Sequence, residues 1–220
     1  TARCSELKQA GAPSSGLFSI WSSPYRNRML MVALVWGLCY VCTQSGVTYW
    51  KEFALAERGL SEAQVGFSVS VAAVLAMPLA FASGRMLDAI GRKRSSVVIM
   101  TTTALGTAAA YWLQSHLGLT VALGFAIFGT TAVLQVMNAF TTELFPTAER
   151  AGAFAWSNNL LGRITYVLAP YLVAVSAEQF GWGPAVRVAA FFPLLALVVI
   201  LLRFPETGGK DLEELEGAKA

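Results

Sequence analysis

Six stretches of this sequence are apolar enough, for long enough, to cross a bilayer as helices. A spanning helix needs about 20 mostly apolar residues, because hydrocarbon offers no partner to an unpaired backbone group. The stretches run from Arg28 to Trp50, Gln64 to Ser83, Ser95 to Gln114, Gly118 to Thr142, Ala151 to Ala177 and Ala185 to Phe204. Charged residues make up 13% of the 220 residues, about half the share usual in a soluble domain, and they cluster between the apolar runs. This pattern predicts an all-α membrane protein. Six transmembrane helices form a bundle over residues 26–204, after a Gly-, Pro- and Ser-containing linker (residues 1–25) and before a charged tail (residues 205–220).

The basic residues divide unevenly between the two ends of such a bundle. One end receives Arg3, Lys8, Arg26, Arg28, Arg85, Arg92, Lys93, Arg94, Arg150, Arg203, Lys210 and Lys219, and the other receives Lys51, Arg58 and Arg187. By the positive-inside rule the first end is cytoplasmic, which predicts a multi-pass protein of the plasma (inner cell) membrane with both termini inside. Trp21, Trp50, Trp112 and Trp182 fall near span ends, where interfacial anchors belong. The formal charge of +3 is too small to specify a partner. No basic stripe interleaves with aromatics, so nucleic-acid binding is not expected. The expected partners are the lipid bilayer and a small-molecule substrate.

Cys39 and Cys42 have the C-x-x-C spacing of a redox or metal pair. A structural zinc site needs about four ligands, and Cys4 alone does not make a second pair. Packing of two small residues in an apolar helix is the favoured account, and neither metal nor cofactor is expected. His116 is placed in a short loop facing solvent. The third span carries Ala104, Gly106, Ala108 and Ala110, a pattern of close helix packing, and Pro78 is expected to kink the second.

Between the second and third spans runs Gly84-Arg85-Met86-Leu87-Asp88-Ala89-Ile90-Gly91-Arg92-Lys93-Arg94. Gly84 allows two helices to approach, Gly91 allows a turn that a Cβ would hinder, and Asp88 can cap a helix or pair with an arginine. This G-x-x-x-D-x-x-G-R-K/R spacing resembles the signature loop of the major facilitator superfamily. Ala89 stands where the family often has a basic residue. Glu143-Leu144-Phe145-Pro146-Thr147-Ala148-Glu149-Arg150 resembles the E-x-x-P-T-x-x-R motif of its sugar-porter-like and organic-ion members (aromatic-acid or niacin type). Pro205-Glu206-Thr207-Gly208-Gly209-Lys210 resembles the tail motif of the same group, and Pro24-Tyr25-Arg26-Asn27-Arg28 the end of its central loop. The order of these motifs implies the C-terminal six-helix half. It also implies a cytoplasmic gate made by Gly84, Arg85, Asp88, Gly91, Arg92, Lys93, Arg94, Glu143, Arg150 and Glu206. The sequence opens at Thr1 with neither an initiator methionine nor a signal peptide, which is consistent with a fragment.

Arg163 stands midway along the fifth span, where a charge costs roughly 2.5–3.5 kcal/mol on insertion scales and is retained for a purpose. Asn159, Arg163, Tyr166 and Pro170 share one helical face. Gln135 and Asn138 on the fourth span, with Tyr40 and Gln44 on the first, are further candidates for the same substrate cavity or for hydrogen bonds between helices. In the resembled group a basic residue near Arg163 often contacts substrate. No acid lies deep in a span, since Asp88, Glu143 and Glu178 lie near span ends, so symport and uniport are not distinguished. The expected activity is alternating-access transport of an organic anion or sugar-like compound. The missing N-terminal half comes from the same full-length chain or from a second copy as a homodimer. An intramembrane protease lacks its deep histidine. A channel lacks its polar rings. A non-transporting sensor or scaffold of the same fold is the alternative.

Overall fold

A computed structural model describes residues 18–22 and 24–208. Most of the linker, including Arg3, Cys4 and Lys8, and the tail from Gly209, including Lys210 and Lys219, lie outside the described residues. Among the described residues every regular element is helical: α1 (Ser19–Ser22), α2 (Arg26–Thr48), α3 (Trp50–Ala56), α4 (Glu62–Ile90), α5 (Arg92–Ala110), α6 (His116–Glu143), α7 (Thr147–Phe154), a π-helical segment (Ala155–Gly162), α8 (Arg163–Phe180), α9 (Trp182–Ala189) and α10 (Phe192–Arg203).

Among the described residues five helical runs are long and apolar enough to cross a membrane: α2, α4, α6, the 34-residue run Thr147–Phe180 and the 22-residue run Trp182–Arg203. The third expected span is not among them. It begins on Arg92, earlier than Ser95, and stops at Ala110, before the expected end at Gln114. Its buried face carries Ser95, Ser96, Thr103 and Thr107. Thr107 Oγ1 meets Cys42 Sγ of α2 at 3.6 Å, and the other three hydroxyls donate to nearby backbone carbonyls. Ser95 donates to Met86 O (3.0 Å), Ser96 to Arg92 O (2.7 Å) and Thr103 to Ile99 O (2.7 Å). A helix of low apolar content can therefore sit inside the bundle without stranding polar atoms.

The ends of the helices follow local chemistry. Ser61 and Gln64 form a reciprocal capping box at the start of α4, and Ser115 caps α6 by accepting from Gly118 N (3.2 Å). That cap draws His116 into α6, where its Nε2 lies 2.8 Å from Ser68 Oγ, not in a solvent-facing loop. At 29 residues, α4 is roughly 43 Å long, longer than a hydrocarbon core of about 30 Å. Its last turns, with Arg85 and Asp88, thus extend past the apolar layer. Pro78 lies inside it and cannot donate to the carbonyl one turn back. The fourth run departs from α geometry over the eight residues Ala155–Gly162, and the fifth is broken at Ala190–Phe191, before Pro193 in the first turn of α10.

Two aromatic-rich clusters build the core. One, toward the basic end, holds Trp36, Tyr40, Met100, Phe140, Phe145 and Phe204. The other holds Trp50, Phe53, Tyr111, Leu119 and Val186, and Ile127 packs against both. Trp50 is 1% exposed, so it serves the core and not the interface, because the chain turns at Tyr49 and folds it inward. Trp112 is exposed under the Arg187 guanidinium, 4.6 Å from its ring. Cys39 and Cys42 pack toward α5, with Sγ 4.0 Å from Met100 Sδ and 3.6 Å from Thr107 Oγ1.

In lipid, helix association relies on close packing, since the solvent is as apolar as the side chains. The α5–α6 contact shows this most plainly. A Cβ on Gly106 would lie 2.5 Å from Phe125 Cβ, and one on Gly129 would lie 2.5 Å from Thr103 Cγ2. Gly106→Val should therefore force the two helices apart and cost about 1–3 kcal/mol. The loss will be read as a lower unfolding temperature of the detergent-solubilised protein.

Candidate functional site

Two groups of polar residues stand out. The first is a charge knot at the basic end. Gly91 closes α4 and opens α5 with φ of 89°, a conformation that disfavours a side chain. A Cβ there would also lie 3.1 Å from the Glu206 carboxyl carbon. α5 has no side-chain cap from its own N-cap residue. Glu206 arrives from beyond α10 and supplies one. Its carboxylate accepts from Arg92 N (2.8 Å), Lys93 N (3.1 Å) and Gly208 N (3.0 Å). Asp88, which the sequence leaves open between capping a helix and pairing with an arginine, takes the second role: it is highly exposed and pairs with Arg92 at 3.3 Å.

Arg92 is the centre of the knot. Its Nε and Nη2 reach Glu143 Oε1 at 2.9 and 2.8 Å, and Nη1 donates to Leu87 O at 2.9 Å. The Arg92 and Glu143 side chains are 17% and 14% exposed. This pair is therefore not the surface type worth under about 1 kcal/mol, and removing one partner strands the other. Thr207, whose place in the tail motif was its one sequence signal, donates its hydroxyl to Glu143 Oε2. Gly84 lies against the Gln135 amide. Arg85 and Arg94 are exposed, and Lys93 Nζ donates to Leu201 O at 2.9 Å. Arg150, placed by sequence in the same network, donates to Phe145 O (3.4 Å), and its buried Nε finds no partner among the described residues.

The second group surrounds the π segment. Asn159, Arg163 and Tyr166 are exposed together, with the Arg163 guanidinium 5.9 Å from the Tyr166 ring centre. Tyr40 meets Tyr166 edge-on at 5.2 Å and stacks on Trp36 at 5.4 Å. Its hydroxyl donates to Asn158 Oδ1 at 2.6 Å, and Trp36 Nε1 donates to Thr141 Oγ1 at 3.1 Å. Asn158 could not be found from an α-helical pattern, because the wider π turn changes which residue faces inward. Asn138 is exposed on α6 and Gln44 half-buried on α2. Gln135 is engaged elsewhere, accepting from Ser83 Oγ (2.7 Å) and donating to Ala80 O (3.3 Å), so it joins α6 to α4.

Burial pushes the Glu206 carboxyl upward, but the backbone bonds from Gly208, Arg92, Lys93 and Thr207 outweigh it and hold it below its ordinary value of 4.5. The unfolded chain therefore takes up the proton first. The stability from this cap is complete above the ordinary carboxylate value and is lost as pH falls through the lower folded value. Glu206→Gln should weaken the knot by about 1–2 kcal/mol at neutral pH. It should also flatten the acid limb of a stability-versus-pH curve, measured by thermal unfolding in detergent between pH 3 and 7.

Comparison with known sequences adds a family to this geometry. The sequence profile described as Major Facilitator Superfamily matches residues 29–219. A Bacillus subtilis protein named for niacin/nicotinamide transport is 27% identical over 197 residues, covering 89% of this chain and 48% of the relative. A glucose transporter of Staphylococcus epidermidis is 25% identical over 96% of this chain and 49% of its own length. A niacin transporter of Acinetobacter baylyi is 23% identical over 89% and 44%. The chain spans about half the length of the relatives it matches. These relatives are transporters and not enzymes, of the sugar-porter and organic-ion type. With its apolar spans, its loop motifs and a profile match over nearly all its length, this multi-pass membrane chain belongs to the Major Facilitator Superfamily.

Proposed function

We propose that this chain is the C-terminal six-helix half of a secondary transporter that moves a small organic anion, or a sugar-like compound, by alternating access. The observation that carries this reading is the exposed strip Asn159, Arg163 and Tyr166, which runs from the end of the π-helical segment into α8 beside Tyr40. π segments inside α-helices are rare and frequent at functional sites. A guanidinium flanked by aromatic rings suits a planar acid, which it can meet by charge, hydrogen bonds and stacking. Niacin, for which relatives are named, is the first compound to test. Asn138 and Gln44 are assigned to the same cavity, and Tyr40 holds the strip from behind.

α5 counts as the sixth span. Its 19 residues make roughly 28 Å of helix, close to the thickness of the hydrocarbon layer. The seat of a second six-helix bundle is on α4 and α8. In the spanning windows of α4 and of Thr147–Phe180, 22% of residues are buried, against 61% in α2 and 56% in α6. The rest of a full-length chain, or a second copy, would cover those faces. The basic end faces the cytoplasm of the cell that bears the protein in its plasma membrane, following the distribution of Lys and Arg.

In this scheme the Arg92–Glu143–Glu206 knot, with Asp88 beside it, holds the cytoplasmic side in one gate state, and Arg85, Lys93, Arg94 and Arg150 border it. A bias of a few kcal/mol suffices to move such a two-state population. Uptake of radiolabelled niacin by cells expressing the full-length protein tests the transport reading, and background uptake of both niacin and glucose would overturn it. Arg163→Gln should cut niacin uptake at least tenfold and leave uptake of its neutral amide within about twofold. An equal loss for both would remove charge recognition. Arg92→Ala should slow initial uptake about tenfold while substrate affinity stays within about twofold. An unchanged rate would remove the knot from the gate.

A further inference from the structure

We infer that the outer corner where α5 begins and α10 ends binds the phosphate of an anionic phospholipid, with Lys93, Arg94 and Arg203 as the recognising groups. The two helix ends are joined directly there, since Lys93 Nζ donates to Leu201 O at 2.9 Å. An ammonium has three hydrogens to donate, so two remain for a further acceptor. Arg94 is exposed beside it, and Arg203 is exposed two residues beyond Leu201.

With Arg203 counted, three cations at this corner face two carboxylates. A cavity of about 590 Å³ at this corner is walled by Asp88, Ile90, Gly91, Lys93, Arg94 and Glu206. Its two carboxylates are already engaged. Asp88 pairs with Arg92, and Glu206 is bonded to three backbone N–H groups. Arg94 and Lys93 equal those two carboxylates in number, but among the described residues no ion pair joins either of them, or Arg203, to an acid, and the excess positive charge is that of Arg203.

The apolar surroundings favour a lipid over a free ion. Val97 and Val98 lie four residues beyond Lys93 and Arg94, one helical turn or about 6 Å deeper, and they are 39% and 47% exposed. Leu201 and Leu202 precede Arg203 and are 42% and 75% exposed, and Ile90 is exposed at the cavity wall. Cationic groups at the rim with aliphatic groups one turn deeper match a phosphate above acyl chains. The Lys93 main chain binds Glu206 while its side chain faces the corner, so a lipid held here tightens the junction that supports the knot.

The full-length protein, purified in dodecyl maltoside, would be titrated with dioctanoyl phosphatidylglycerol, dioctanoyl phosphatidylcholine and inorganic phosphate. Bound adducts would be followed by native mass spectrometry. Phosphatidylglycerol should bind at least tenfold tighter than phosphatidylcholine. Arg94→Gln with Arg203→Gln should weaken it about thirtyfold, taking about 1 kcal/mol per surface charge. Arg94→Lys with Arg203→Lys should stay within about threefold of the unsubstituted protein, and Arg26→Gln, at the exposed start of α2, should have no effect. If the double glutamine variant does not fold, Arg94→Gln alone should lose about fivefold. Equal affinity for the two lipids, full binding by the glutamine variant, or an equal loss on Arg26→Gln would overturn the assignment. Displacement of phosphatidylglycerol by an equal concentration of inorganic phosphate would also overturn it, by marking the corner as a site for the free ion.

Discussion

The partly buried ion pair between Arg92 and Glu143 is the contact on which the basic end of the bundle depends. It joins the first residue of α5 to the last residue of α6. Asp88 of α4 approaches the same guanidinium, and Thr207 from beyond α10 approaches the same carboxylate. Four helix ends thus meet on one arginine and two acids. At such low exposure the loss of either partner leaves a charge without compensation.

α5 gains the most from this arrangement. It is the least apolar of the long helices, and Gly91 cannot cap it with a side chain. Glu206, 114 residues away, puts negative charge at its start. At its other end Arg58 donates to the carbonyls of Trp112 (3.2 Å) and Leu113 (3.0 Å). The two charges oppose the ends of the helix dipole in the favourable sense. The same device recurs at the opposite face of the bundle. α9 follows Gly181, with φ of 84°, and Glu57 accepts from Gly183 N at 3.0 Å. Both helices that start directly after a left-handed glycine are capped by a carboxylate from a distant part of the chain.

With its ends so tied, the bundle concentrates its irregularity near the middle, in the π segment between α7 and α8. There the backbone turns Asn158 inward to Tyr40 and leaves Asn159 outward, in line with Arg163 and Tyr166 at the start of α8. The ties at the ends and the strip in the middle fit the work proposed for the protein, which requires a firm scaffold and a polar surface that meets a solute.

Hydropathy and charge placement were enough to determine a multi-pass helical membrane chain, since a bilayer admits few other structures and its cost for exposed backbone is written residue by residue. Motif spacing was enough to bring Asp88, Gly91, Arg92, Glu143 and Glu206 to one end, because loops between adjacent helices leave little freedom. Arg150 turned to a carbonyl only five residues back, that of Phe145, but which acid would cap α5 depended on a contact between distant parts of the chain that no local pattern encodes. The same is true of Gln135, which the sequence left open between the cavity and interhelical bonding. The structure put its amide against Ser83, where α4 comes close enough to claim it. Asn158 was invisible for a different reason. Its inward aim follows from a wider helical turn, and helical periodicity can be read from a sequence only when the turn is regular.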